Sequence, residues 1–175
     1  MDVRAFFLRP DILPGGMVRA SRPGEAEIGQ PLTGHIGEMA QEAGLTMRRS
    51  AKTSYTRTAL EATEYAKQHG RMEPFHHLLL QAYWESGKDL EDRAVLREAA
   101  EASELDWPDM ERALNEGTYS DAVEEQMEEA QQAGITGIPA YIVGNKYLFM
   151  GAQPYEFFKT VVDRVISEQS GGPQD

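Results

Sequence analysis

The feature that most constrains this chain is a pair of β-rich runs near its C-terminal end. Residues 140–143 and 146–150 flank a Gly-Asn dipeptide, which favours the positive φ angles of a tight two-residue hairpin turn. Pro139 precedes the first run, at a position where its missing N–H costs no ladder hydrogen bond. The Ile138–Pro139 bond is the best candidate for a cis peptide, since only X-Pro bonds adopt that form readily. We therefore predict a β-hairpin that is introduced by a cis-proline.

Apolar periodicity places this hairpin after a block of helices. A short aromatic-rich run at residues 3–8 predicts a strand, and the Gly- and Pro-rich residues 11–31 predict an irregular loop. Apolar residues at helical spacing predict helices at residues 32–43, 55–69, 71–84, 92–102, 106–115, 118–133 and from 154 onward. The last helix is expected to bury a broad apolar stripe, made of Phe157, Phe158, Val161, Val162, Val165 and Ile166. This order of elements indicates an α/β domain that carries an inserted helical subdomain.

Composition excludes several classes of function. The 175 residues are enough for a single domain with its own core. The formal net charge of −12 argues against nucleic acid and anionic membrane surfaces as partners, because both attract clusters of Lys and Arg. No apolar run approaches the length of a membrane span, and the N-terminal residues are too charged for a signal peptide. We therefore expect a cytoplasmic protein.

The absence of cysteine removes thiol chemistry from this polypeptide. Without Cys there is no disulfide, no thiolate metal site and no thiol nucleophile. His76 and His77 are adjacent on a predicted helix and point about 100° apart, and neither His35 nor His69 has a partner at i+4. We find no G-x-S-x-G elbow and no phosphate-binding glycine loop. The sequence therefore predicts no metal, no cofactor and no catalytic residue within this chain.

Gly137, Ile138 and Pro139 are the candidate substrate-binding residues. The simpler interpretation is a loop that enters a strand. The functional interpretation starts from the cis geometry, which turns the backbone and leaves the N–H and C=O of Ile138 facing outward at the sheet edge. Those groups could pair with an extended peptide by β-augmentation, or with a peptide-like thiol such as glutathione.

Several segments resemble the DsbA-type thioredoxin-fold family, most closely its FrnE-like cytoplasmic branch. The resemblance rests on Ala-Gly-Ile-Thr-Gly-Ile-Pro-Ala-Tyr-Ile-Val at residues 133–143 and on Tyr-Leu-Phe-Met-Gly-Ala-Gln-Pro at residues 147–154. It also takes in Phe-His-His-Leu-Leu-Leu-Gln-Ala-Tyr at 75–83, Tyr-Ser-Asp-Ala-Val at 119–123 and Phe-Phe-Leu-Arg-Pro at 6–10. Relatives that isomerise 2-hydroxychromene-2-carboxylate with glutathione share the same architecture.

The resemblance implies a thioredoxin-like sheet of about three strands with a large inserted helical subdomain. It implies a thioredoxin-like part at residues 1–16 and 134–170 and a helical subdomain at residues 31–133. In the family, Pro139 would be the cis-proline that faces the active site, and Ile138 would lie next to the redox pair. The implied partner is a peptide or protein thiol or disulfide, or glutathione.

The chain departs from the family at the nucleophile. Family members carry a C-x-x-C, or a Ser in the isomerases, after the first strand and at a helix N-terminus, where the helix dipole lowers the pKa of a thiol. Residues 3–8 resemble the second strand of the family, so no residue here matches that nucleophile. Three explanations stay open: the true start lies upstream, residues 3–8 pair directly with the hairpin, or a second copy fills the gap in a homodimer. We expect the first.

These explanations lead to three functional hypotheses. The leading one is a thiol–disulfide oxidoreductase whose catalytic segment lies outside this chain, so that the 175 residues alone are redox-inactive. The alternatives are a non-catalytic thioredoxin-like module that binds a peptide or protein partner, and a glutathione-dependent isomerase whose Ser lies upstream.

Overall fold

The computed structural model describes residues 2–20 and 24–170 of the chain. The chain divides into two compact units, Met1–Glu125 and Gln126–Asp175. The helices are α1 (Gly34–Glu42), α2 (Arg57–Gln68), α3 (Met72–Trp84), α4 (Arg93–Ala102), α5 (Trp107–Asn115), α6 (Ser120–Gln132) and α7 (Tyr155–Ser170). The strands are β1 (Met17–Val18), β2 (Lys52–Thr53), β3 (Ala140–Val143) and β4 (Tyr147–Met150). Across the described part of the chain, no helix combines the length and apolar character needed to span a bilayer.

The core of the first unit lies where α2, α3, α4 and α5 meet. Three alanines on one face of α2 allow the neighbouring helices to approach closely, and larger side chains fill the space around them. Burial of each large apolar side chain contributes about 1.5–3 kcal/mol, which explains why apolar periodicity predicted these helices correctly. The largest fully buried side chains of this core are those of Tyr65, Phe75, Leu96 and Met110.

Side-chain caps fix where two of the core helices begin. The carboxylate of Asp92 accepts a hydrogen bond from the N–H of Ala94 at 2.9 Å, and that of Asp106 accepts one from the N–H of Asp109 at 3.0 Å. Pro108 lies in the first turn of α5, where a missing N–H leaves no helical hydrogen bond unmade. Asp106 therefore caps α5 at the place where the sequence predicted this helix to begin, because capping depends on residues that are close in sequence.

The strand predicted at residues 3–8 is wrong, because this segment has no regular secondary structure. It lies instead against α2. The Nζ of Lys67 donates a hydrogen bond to the C=O of Val3 at 3.0 Å, the guanidinium of Arg57 lies 5.8 Å from the centroid of the Phe7 ring, and Ala5 is buried. Apolar and aromatic content predicted burial correctly, but burial against a helix needs no ladder of backbone hydrogen bonds.

The loop expected at residues 11–31 contains one short strand that the sequence did not predict. β1 pairs antiparallel with β2, with Met17 opposite Thr53. Arg49 holds the loop further along: its guanidinium donates to the C=O of Ala26 at 2.6 Å and to the C=O of Ala20 at 2.7 Å. Strands of two residues carry too little periodicity to be read from a sequence.

The second unit contains the end of α6, the β3–β4 hairpin and α7. β3 and β4 pair antiparallel, with Ala140 opposite Met150 and Val143 opposite Tyr147. The loop therefore has three residues rather than the predicted two, and the strand expected from residue 146 begins at Tyr147. Lys146 closes the turn instead, since its N–H donates to the C=O of Val143 at 3.2 Å.

One face of the hairpin packs on α7 through aromatic rings. The ring centroid of Tyr141 lies 4.7 Å from that of Phe158, and the centroid of Phe149 lies 5.0 Å from that of Phe157. The buried stripe predicted on α7 is wrong in its extent, because no residue of α7 is fully buried. Two strands of four residues cover only one side of this 16-residue helix. The stripe residues that stay exposed are Phe157, Val162 and Ile166.

Candidate functional site

The candidate site is the loop that joins α6 to β3. α6 ends in a turn whose C-terminal residue, Gly134, has a φ of +73°, a value that favours glycine. The N–H of Ile135 donates to the C=O of Ala130 at 2.9 Å across this turn, as in a helix C-cap of the Schellman type. These local hydrogen bonds fix the direction in which the chain leaves α6.

The Ile138–Pro139 peptide bond is cis, as the sequence predicted. The C=O of Pro139 accepts a hydrogen bond from the N–H of Gly151 at 2.7 Å. This bond extends the ladder one residue beyond the pairing of Ala140 with Met150, so the proline is fixed to the base of the hairpin. The predicted site residues therefore lie on a backbone that two regular elements hold in place.

The main-chain groups of Ile138 lack a hydrogen-bond partner within the described residues: among the hydrogen bonds of residues 2–20 and 24–170, none uses its N–H or its C=O. Its side chain is 52% exposed. Next to it, a methyl group built on Gly137 would meet no atom within 4 Å. Solvent, or the backbone of another chain, can therefore approach both residues.

The same open edge continues along β3. In an antiparallel ladder, residues alternate between those whose N–H and C=O bond the partner strand and those whose groups point away. The hydrogen bond between Gly151 and Pro139 sets this alternation, so the main-chain groups of Ala140 and Ile142 point away from β4. In the described part of the chain, β3 has β4 as its sole partner strand. Ile138, Ala140 and Ile142 form what we call the edge row.

The side chains that flank the edge row are apolar. Ile142 is exposed, as are its cross-strand neighbour Leu148 and, nearer the proline, Met150. The stretch from residue 134 to residue 153 contains no Cys, Ser, His, Asp or Glu. This arrangement can bind a ligand through main-chain hydrogen bonds and apolar contacts, and the stretch offers no thiol, imidazole or carboxylate.

A cluster of charged and polar groups joins the turn end of the hairpin to α7. The carboxylate of Glu168 on α7 accepts hydrogen bonds from Lys146 at 2.6 Å, from the hydroxyl of Tyr147 at 2.6 Å and from Arg164 at 3.1 Å. These three bonds lower the pKa of Glu168 to about 2, and the bond from Lys146 has the largest effect. The i, i+4 spacing of Arg164 and Glu168 predicts only the pair within α7, so the cluster was not read from the sequence.

Gly144 allows the hairpin turn to lie close to α7. Its φ is +63°, and a methyl group built on it would lie 2.6 Å from Cγ1 of Val165. The residue after it, Asn145, also has a positive φ of 55°. Both values explain why the Gly-Asn dipeptide predicted a turn at this place.

Comparison with known proteins supports the fold class. A family model described as the DSBA-like thioredoxin domain matches residues 1–163. The uncharacterized protein YwbO of Bacillus subtilis (strain 168) is 26% identical over 137 residues, which cover 77% of this chain and 66% of YwbO. The probable DsbA oxidoreductase SCO1869 from Streptomyces coelicolor has a crystal structure similar to this one, with a TM-score of 0.70 and 27% identity, over 76% of this chain and 58% of that chain.

The match leaves a substantial part of both relatives without a counterpart, since this chain spans less than two thirds of the length of each. The predicted class, a thioredoxin-like fold with a large helical insertion, is confirmed by the family model and by the Streptomyces structure. The printed sequence has no cysteine at any position. From the cis-proline loop, the order of its elements and the family model, we conclude that this chain belongs to the family of DSBA-like thioredoxin domains.

Proposed function

We propose that this chain supplies the peptide-binding part of a thiol–disulfide oxidoreductase of the DsbA type, within its FrnE-like branch. The observation that carries the proposal is the edge row, in which Ile138, Ala140 and Ile142 direct main-chain groups away from β4. An extended peptide would add to β3 as a further strand and pair with these groups. The description of the Streptomyces relative as a probable DsbA oxidoreductase agrees with a peptide or protein thiol as the partner.

The energetics of strand addition suit a substrate that must be released. Each main-chain hydrogen bond contributes about 0.5–1.5 kcal/mol net, because the free groups already bond to water. A few such bonds, together with apolar contact at Ile142, give weak and reversible binding. Gly137 leaves room for the peptide to approach, because no side chain stands over that position.

The redox step needs thiols from outside this polypeptide. A disulfide exchange forms one S–S bond and breaks another through a thiolate, and this chain has no sulfur nucleophile. We therefore expect the purified chain to bind an extended peptide and to show no dithiol oxidase or insulin reductase activity. Turnover by the purified chain would contradict the proposal.

A pair of proline variants tests the binding site. Ile142→Pro removes an outward N–H from the edge of β3 without removing a hydrogen bond to β4. Leu148→Pro is the matched control for main-chain pairing: it removes one flanking apolar side chain, but the N–H that it removes points outward from the opposite edge of the same hairpin. We expect a hexapeptide that contains S-methylcysteine to shift the NMR amide signals of residues 138–142 in the parent chain and in Leu148→Pro, but not in Ile142→Pro.

The other outcomes separate the alternatives. Equal peptide binding by both proline variants would overturn the edge row as the site. Binding of S-methylglutathione without binding of the hexapeptide would favour the glutathione-dependent isomerase. Light scattering tests whether the chain forms a dimer through this edge. A dimer that is lost in Ile142→Pro and kept in Leu148→Pro would show that a second copy occupies the edge in place of a peptide.

A further inference from the structure

The helical unit contains a cleft that the peptide-binding proposal does not use. It lies between the end of α2 and the start of α5 and has a volume of about 530 Å³. Such a volume falls within the range of clefts that hold small molecules, about 300–1,000 Å³. Tyr65 forms part of its wall, and Leu105 and Pro108 contribute apolar surface. The rest of the lining is charged or aromatic.

The ring of His69 gives the cleft an aromatic surface, and it stacks on the buried ring of Tyr65. The rings of Tyr65 and His69 lie 4.0 Å apart and 21° from parallel. Nδ1 of His69 lies 2.8 Å from the C=O of Tyr65, and because a carbonyl only accepts, Nδ1 is the donor. The hydroxyl of Tyr65 donates to Asp109 at 2.9 Å, and burial raises its pKa, so it stays protonated. His69 is exposed, so the ring face turned away from Tyr65 remains accessible.

The two arginines of the cleft differ in how firmly their carboxylate partners are held. Arg112 pairs with Asp109, which Tyr65 also binds. Arg71 pairs with Glu104, and these side chains are 47% and 74% exposed. An exposed ion pair contributes at most about 1 kcal/mol, so a better acceptor can displace Glu104 from Arg71. Each guanidinium has five N–H donors, so donors remain for a ligand at both arginines.

The backbone at Glu104 is a second and independent indication. Glu104 has a φ of +60° at the end of α4, where the N–H of Leu105 donates to the C=O of Ala100 at 2.9 Å. This is the position of a helix C-cap at which glycine is favoured. A glutamate there is strained, and residues with unfavourable φ concentrate at functional sites. What the glutamate adds is a carboxylate at the mouth of the cleft, opposite Arg71.

We propose that this cleft binds a small organic carboxylate with a planar apolar body. The body lies on the exposed face of His69, between Leu105 and Pro108. The carboxylate of the ligand forms hydrogen bonds with Arg112 and with Arg71. At Arg71 it displaces Glu104, whose carboxylate occupies that position when no ligand is bound. The other two carboxylates of the lining are already engaged, so a cation is a poorer fit: that of Asp106 accepts from the N–H of Asp109, and that of Asp109 accepts from Tyr65 and Arg112.

A titration of the full chain with benzoate tests this inference. Binding is measured by calorimetry and by the NMR signals of the arginine Nε–H groups. We expect Arg71→Gln to weaken binding about tenfold or more, since it removes charge-assisted hydrogen bonds. Glu104→Gln should strengthen binding up to about fivefold, because the competitor for Arg71 loses its charge. Glu98→Gln is the matched control, since Glu98 forms an exposed pair with Lys88 away from the cleft and should change nothing.

Three results would overturn the inference. Weaker binding of benzoate in Glu104→Gln would mean that Glu104 supports the ligand and does not compete with it for Arg71. Equal affinity for benzoate in all three variants would place the ligand elsewhere. Equal affinity for benzoate and acetate would remove the role of the planar body. Because Glu104→Gln alters an exposed side chain and gains rather than loses affinity, its result does not depend on damage to the fold.

Discussion

The substitution Arg49→Met provides a strong test of how the helical unit holds its long N-terminal loop. Arg49 is 3% exposed, and its guanidinium bonds the C=O of Ala20 and Ala26 as well as the carboxylate of Glu25. Methionine keeps most of the buried volume and removes all three contacts. The effect therefore measures the polar contacts and not a cavity.

The magnitude follows from the two carbonyl contacts. A hydrogen bond to a charged group contributes about 1.5–3 kcal/mol net. Because Ala20 and Ala26 are not buried, water can hydrate their carbonyls after the substitution, and we take the lower half of that range for each. The ion pair with Glu25 adds little, since that carboxylate is 37% exposed. We expect a loss of about 3–4.5 kcal/mol in the free energy of unfolding.

Urea denaturation and limited proteolysis measure this loss. Arg48→Met is the matched control, because the neighbouring arginine makes one exposed bond, to the C=O of Gly29 at 3.2 Å. A glutamate-specific protease should cut after Glu25 and Glu27 faster in Arg49→Met than in Arg48→Met. Equal loss of stability in both variants would refute the reasoning, since the buried contacts would then contribute no more than the exposed one.

Three further predictions concern the hairpin and the end of α4. The pKa of Glu168 is lowered from 4.5 to about 2, so its stabilising effect is complete above pH 4.5 and is lost as the pH falls through about 2. Glu168→Gln should remove this part of the pH dependence of stability. The NMR signals of Tyr147 report it. Gly144→Ala should destabilise the chain by about 1–2 kcal/mol, since it combines a positive φ with a clash at Val165; an unchanged urea midpoint would contradict this. Glu104→Gly should stabilise the chain by about 0.5–1 kcal/mol, because glycine adopts a φ of +60° without strain; a lower melting temperature would show that the ion pair with Arg71 outweighs the strain.

Prediction from the sequence succeeded where the deciding interactions are close along the chain. The start of α5 at Asp106, the helix α2 and the turn at Gly144 each depend on residues within a few positions of one another. It failed at residues 3–8, because the same apolar residues suit a strand or a segment packed on a helix. Arg49 gave no signal either, since nothing in a sequence shows which arginine is buried.

The two proposed sites differ in how far the sequence could indicate them. The proline of the edge row is visible as Ile138–Pro139, whereas the open edge itself follows only from the register of β3 and β4. In the helical cleft, the i, i+4 spacing of Tyr65 and His69 is a detectable signal for stacked rings. The positive φ of Glu104 cannot be predicted from the sequence, because a helix C-cap is normally recognised by its glycine and this position holds a glutamate.

The main-chain character of the edge row is itself an argument about selectivity. Main-chain groups offer the same donors and acceptors to every extended peptide, so a site built on the edge row discriminates only through the side chains beside it. Those side chains, Ile138 and Ile142, are apolar and exposed. Binding should therefore depend on whether a peptide can extend and present an apolar residue, and hardly on its exact sequence. Under the proposed function, recognition and thiol exchange depend on different atoms, so a chain without cysteine can still bind the peptide.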